Sequence, residues 1–200
     1  NGISPYEYPM FVSTIGNINT YTSYVALISA IAAVLFSIEK NKYKRIWYLF
    51  TVIISLFALI TGMSDNAYLT LMALFGLLPL YLFNSLDGFK KYMVLVSILF
   101  SEFQFIDTIS HKFPNHVLEI NGLFNVIVEY DRLPYFVIGL WGICIILYIL
   151  KACIKKENVL NRVSNIGRWI WLCIIVLVVL AGCYILYDAN IAGNTDKYGS

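Results

Sequence analysis

Hydrophobic residues in this chain come in long blocks, neither alternating with polar ones nor confined to one face of an otherwise polar helix. Six stretches, at about 22–38, 46–63, 67–85, 92–109, 135–154 and 169–187, approach the ~20 mostly apolar residues that cross ~30 Å of hydrocarbon. Runs such as Ile170 to Leu186 lack the alternation of a barrel strand. The pattern therefore predicts an all-α integral membrane protein, a single bundle of about six transmembrane helices. Composition agrees: 60% of residues are hydrophobic and 13% charged, with a mean hydropathy of +0.74, which excludes a water-soluble globule.

Charge changes the picture through its placement. The net +2 gives no reason to expect a nucleic-acid partner, and the partner implied by the pattern is the lipid bilayer. Eleven of the fourteen Lys and Arg fall in three alternate connections. Lys40, Lys42, Lys44 and Arg45 are in the first, Lys90 and Lys91 in the second, and Lys151, Lys155, Lys156, Arg162 and Arg168 in the third. The other connections hold only Lys112, Arg132 and Lys197. Positive charge is retained on the cytoplasmic side, so both ends of the segment, the Thr61–Asn66 turn and the Ser110–Pro134 loop are expected on the outer face. Trp47, Tyr48, Trp169 and Trp171 read as interfacial anchors. Gly76, Gly139, Gly142 and Gly182 read as sites of close helix approach, and Cys144, Cys153, Cys173 and Cys183, with no CxxC spacing, as packing residues. The chain begins at Asn1 without a signal-peptide pattern and reads as an internal piece of a longer one.

Polar residues inside or beside spans mark functional sites, and three clusters fall on the expected outer face. Ser13 to Thr20 precedes the first span, and Asn17 and Asn19 there can cap a helix or hydrogen-bond a hydroxylated ligand. Thr61-Gly62-Met63-Ser64-Asp65-Asn66 is short enough to force a tight helical hairpin. Asp65 at the following helix N-terminus serves the dipole, chemistry, or both. The third cluster comprises Glu102, Gln104, Asp107, His111, Lys112 and His116, then Glu129, Asp131 and Arg132. Asp107 and His111 share a helix face, Glu102 lies about a turn deeper, and Arg132 is a rare outer cation suited to a phosphate or to a rim ion pair. The spacing fits no standard metal-ligand pattern, and no metal or other cofactor is implied.

The order Gly16-Asn17-Ile18-Asn19, with Tyr21 and Tyr24 leading into a span, then a charged loop, another span and Thr61-Gly62-Met63-Ser64-Asp65-Asn66-Ala67, resembles the O-antigen ligase and polysaccharide polymerase family. In that family a Gly-Asn-x-Asn turn precedes one helix and a Thr-x-Ser-Arg-Gly-like turn opens another two spans later. Residues 13–85 carry the resemblance. Asp65 stands where the family commonly has Arg, so a phosphate role does not transfer to it. The resemblance implies a multi-pass protein of the bacterial cytoplasmic membrane that moves an undecaprenyl-pyrophosphate-linked glycan to a sugar hydroxyl on the outer side. Asp65 or Asp107 would be the catalytic carboxylate, Asn17, Asn19, Ser64, Asn66 and His111 would bind substrate, and Arg132 would hold the pyrophosphate. It also implies a large external loop beyond residue 200, without which the segment alone is expected to be inactive.

Two other classes compete. An ion-coupled transporter would use Glu102, Asp107 and His111 as a relay, and a non-catalytic scaffold would use every polar cluster as a cap or surface. Ser-His-Asp elbows, zinc-protease spacings, phosphate-cradling glycine loops and dinucleotide fingerprints are missing.

Overall fold

In the computed structural model the described residues, 17–113, 120, 123–153 and 157–190, form seven helices and no strand. They are α1 (Ile18–Ile38), α2 (Lys42–Thr61), α3 (Asp65–Leu82), α4 (Leu86–Lys112), α5 (Leu123–Val128), α6 (Leu133–Cys153) and α7 (Glu157–Asn190). Polar residues interrupt the apolar blocks and cap the next helix. The side chains of Asn17, Asn41, Ser64 and Ser85 each accept a backbone N–H in the first turn of α1, α2, α3 and α4. Glu39 accepts the backbone N–H groups of Asn41 and Lys40, the first of which does most to hold its carboxyl below the ordinary range.

Five helices, namely α1, α2, α4, α6 and the Ser164–Ile185 part of α7, are long and apolar enough to cross a membrane. The third expected span is shorter: its apolar stretch is Asn66–Leu82, because Asn84 and Ser85 end the block and Ser85 starts α4. Conversely, α7 begins at Glu157, takes in Arg162 and Arg168 and runs on past Asp188, 34 residues against the 19 of its apolar block.

The core lies among α1 to α4. The α1–α2 pair is joined by Ser29 Oγ donating to Ser55 Oγ at 2.8 Å, with Ala32 and Ala33 buried on the same side of α1. On α4, Ser97 Oγ meets Cys144 Sγ of α6 at 3.3 Å, and Ser101 Oγ accepts the Trp141 indole N–H at 3.0 Å. The turn between α2 and α3 is three residues, with Met63 at a φ of 49°.

The close-approach glycines are not those the sequence suggested. A Cβ on Gly76, Gly139, Gly142 or Gly182 would meet no described atom within 4 Å. A Cβ on Gly62 would lie 2.7 Å from Thr22 Cγ2, and one on Gly88 only 2.0 Å from the Leu82 carbonyl oxygen. Close approach occurs at the turns: at Gly62 the α1 side chain of Thr22 crowds in, and at Gly88 chain reversal brings up the Leu82 backbone. Of the cysteines only Cys144 is buried, whereas Cys153, Cys173 and Cys183 are exposed on the outward sides of α6 and α7.

Trp171 also departs from the anchor reading, although Trp47 and Trp169 are exposed as expected. Its indole N–H donates to the Gly76 carbonyl at 2.8 Å, and its ring joins Phe83 and Tyr92. One residue earlier on α3 a second carbonyl is met from outside the helix: Pro79, inside α3, has no N–H to give the carbonyl four residues back. That carbonyl is Phe75's, and it accepts the Tyr92 hydroxyl of α4 instead, at 2.9 Å.

At one end of the bundle the lysines gather. Asp87 receives Lys90, Lys91 and Lys151 at 3.2, 3.1 and 2.9 Å, and Lys91 also donates to the Ser37 carbonyl that closes α1. Arg168 bonds Asn84 there, and Ser164 bonds the Phe83 carbonyl. At the opposite end α5 lies against the core, its buried Phe124 packed on Tyr68 of α3 and Phe103 of α4. The expected outer loop is therefore partly a helical cover.

Candidate functional site

The two motifs behind the family resemblance meet in space at the end opposite the lysines. Asn17 caps α1, its Oδ1 accepting the N–H groups of Asn19 and Thr20 at 2.9 and 3.2 Å. Asn19 is thereby presented on the first turn of α1. There its Oδ1 accepts the Ser64 hydroxyl at 2.8 Å, across 45 residues of sequence. Asn66 Nδ2 points back to the Asn19 carbonyl at 3.5 Å and to Ser23 Oγ at 3.4 Å. Ser64 is buried while Asn17 and Asn19 are exposed, so the cluster is anchored below and open above. Asp65 is the first residue of α3, directly after its cap Ser64. Its side chain lies outside the described residues, as do Gly16 and His116.

Below this cluster, between the same two helices, runs an apolar groove of about 660 Å³. Ala30, Val34 and Ile38 form its α1 wall, and Ala73, Leu77 and Tyr81 contribute to its α3 wall. Groove and polar cluster share one helix pair. A molecule with a long apolar tail and a hydroxylated head matches that arrangement.

A second polar group stands on α4. Asp107 pairs with His111 at 3.0 Å, one turn on, and its other oxygen accepts Gln104 Nε2 at 3.0 Å. The His111 side chain is 77% exposed against 22% for Asp107, so the pair offers an imidazole to solvent with a carboxylate behind it. Glu102, on the same helix, is not part of this pair. It is buried, 6% exposed, and neither carboxyl oxygen has a hydrogen-bond partner among the described residues. Arg132 is exposed in the turn before α6 and forms no ion pair among the described residues. Among those residues no three His, Cys, Asp or Glu side chains converge as a metal site would need.

Sequence reading missed three participants. Ser23 is one turn from Asn19 and gives no signal alone. Asp87, the hub of the lysine-rich end, is signalled by Lys90 and Lys91 at three and four residues' distance. Phe124 belongs to the short segment 123–128 inside the loop, apolar except for Asn125 and too brief to register as a span. No protein-family model, no curated protein and no solved structure matches the chain.

Proposed function

We propose that this protein binds a lipid-linked glycan at the outer face of a bacterial cytoplasmic membrane and transfers it to a sugar hydroxyl. One observation carries the reading: a hydroxyl-binding cluster, Asn19, Ser64 and Asn66, tops an apolar groove in the same helix pair. The polyprenyl chain would lie in the groove between α1 and α3, and the first sugars would meet the amide and hydroxyl groups above it. With the described lysines and arginines of the three basic connections at the other end, this end reads as the outer one, and α3 counts as a sixth span despite its length.

In the transfer, the acceptor hydroxyl attacks the anomeric carbon as the bond from that carbon to the pyrophosphate oxygen breaks. The hydroxyl proton goes to a carboxylate, Asp107 or Asp65, and undecaprenyl pyrophosphate leaves with the bonding electron pair. Asp107 is the better placed in one respect, since His111 and Gln104 already fix its orientation. Arg132 would bind the departing pyrophosphate by charge-assisted hydrogen bonds.

The test is glycan turnover in cells that make the full-length protein. Arg132→Ala and Asp107→Asn should each lengthen the lifetime of unused lipid-linked glycan. Unchanged turnover in one variant removes that residue from the site. Deletion of the gene with no change in any envelope glycan overturns the reading.

A further inference from the structure

The lysines at the α3–α4 turn do more than mark one side of a membrane. Lysines with that role alone reach into water, whereas the Lys90 and Lys91 side chains are only 6% and 15% exposed and turn inward around Asp87. Lys151 of α6 reaches the same carboxylate, and Arg168 of α7 bonds Asn84, three residues before it. Cations from α4, α6 and α7 thus converge on one turn, Asn84 to Asp87, that offers a single acid. Even by themselves Lys90 and Lys91 outnumber the carboxylate they share. Lys90 and Lys151 meet the same Asp87 oxygen, so their ammonium groups stand no more than about 6 Å apart, and like charges held that close repel unless an anion balances them.

We propose that this turn binds the headgroup of an anionic phospholipid, its phosphate among Lys90, Lys91 and Lys151 and its acyl chains along α6. The excess of positive charge selects an anion, and it repels the ammonium of a zwitterionic headgroup. The cluster is open to such a ligand, since the side chains of Asp87 and Lys151 are 45% and 43% exposed. Donors are available as well: Lys91 gives two of its three N–H groups to Asp87 and to the Ser37 carbonyl, which leaves a third for a phosphate oxygen. The neighbouring surface selects a lipid over a free anion. Ile145, Tyr148 and Ile149, on the α6 turns that lead from Lys151 into the span, are more than half exposed. Tyr148 joins the two parts, because its ring also carries the Lys90 ammonium 4.4 Å from its centre. The site is independent of the glycan reading, which uses other residues at the opposite end of the bundle.

In the experiment, full-length protein in dodecyl maltoside, an uncharged detergent, is titrated with phosphatidylglycerol or phosphatidylcholine, and bound lipid is counted by native mass spectrometry. Phosphatidylglycerol should bind about tenfold more tightly or better. Its affinity should fall about fivefold for each lysine removed, so roughly 25-fold in Lys90→Gln/Lys91→Gln. It should stay within about twofold in Lys42→Gln/Lys44→Gln, which removes the same charge from exposed positions in the first basic connection. Equal binding of the two lipids, or an equal loss in the two double variants, overturns the proposal. So does a Tm rise with about 1 mM inorganic phosphate that matches the rise with phosphatidylglycerol, because the site would then be one for a free anion. If Lys90→Gln/Lys91→Gln does not fold, Lys151→Gln, on a nearly half-exposed side chain, decides: about fivefold weaker phosphatidylglycerol binding is expected, and unchanged binding overturns the proposal.

Discussion

The Pro79–Tyr92 arrangement makes a prediction whose sign does not depend on knowing what the protein does. Proline removes the N–H that would bond the Phe75 carbonyl, and the Tyr92 hydroxyl, from a different helix, replaces it at 2.9 Å. Tyr92 is 7% exposed, so water cannot easily take over when the hydroxyl is removed. Tyr92→Phe should therefore cost about 1–3 kcal/mol, the penalty for leaving a buried acceptor unmet. In a Pro79→Ala background the residue-79 N–H is restored to that carbonyl, and the same Tyr92→Phe change should cost only about 0.5 kcal/mol. The coupling, about 0.5–2.5 kcal/mol, is the quantity of interest, because the effect of Pro79→Ala itself mixes helix propensity with repacking of a fully buried ring. Unfolding of the four proteins in a graded SDS and dodecyl maltoside mixture can be followed by tryptophan fluorescence, since Trp171 lies 6.3 Å from the Tyr92 ring. If Tyr92→Phe costs the same with and without Pro79, the hydroxyl is not substituting for the missing N–H, and the account of why α3 tolerates proline is wrong.

Two further outcomes rest on local geometry. Ser64→Ala removes both the cap of α3 and the bond to Asn19, and should destabilise by about 1–2 kcal/mol. Part of that loss should vanish in an Asn19→Ala background, and additive costs in the same unfolding assay would separate the two turns. Gly88→Ala should cost about 3 kcal/mol or more, because the obstacle 2.0 Å from the new Cβ is the Leu82 backbone rather than a side chain that can rotate. Thermal unfolding within a degree of the parent protein would show that the α3–α4 turn can relax.

Which parts of this molecule are legible in its sequence is decided by what each part depends on. Helix number and rough extent depend on how long apolar blocks run, a property of the chain alone, so α1, α2, α4, α6 and the apolar part of α7 can be read directly. Helix ends are nearly as readable, since a cap acts within three residues, and Asn17 is identifiable as one from its sequence neighbours. Packing is different. Gly139, Gly142 and Gly182 have the composition of contact sites, yet a Cβ on any of them would meet no described atom within 4 Å, because small size permits an approach without bringing a neighbour to it. Trp171 and Trp169 are two residues apart in similar surroundings, and only the helix rotation decides that one locks onto Gly76 while the other faces outward.

The candidate sites divide along the same line. Asp107 and His111 are four residues apart on one helix, so their pairing can be anticipated from spacing, and they do meet. The Asn19–Ser64 bond spans 45 residues and is signalled only by two motifs whose meeting the spacing cannot supply. Glu102 is the extreme case. Its position within a span makes it conspicuous, and proximity in sequence groups it with Asp107 and His111. What distinguishes it is that, buried beside a groove between α2, α4 and α6, its oxygens have no hydrogen-bond partner among the described residues. Whether a buried polar group is satisfied is a property of all its neighbours together. In a membrane span the cost of leaving one unmet is high, and spacing along one helix cannot tell whether that cost is met by the others.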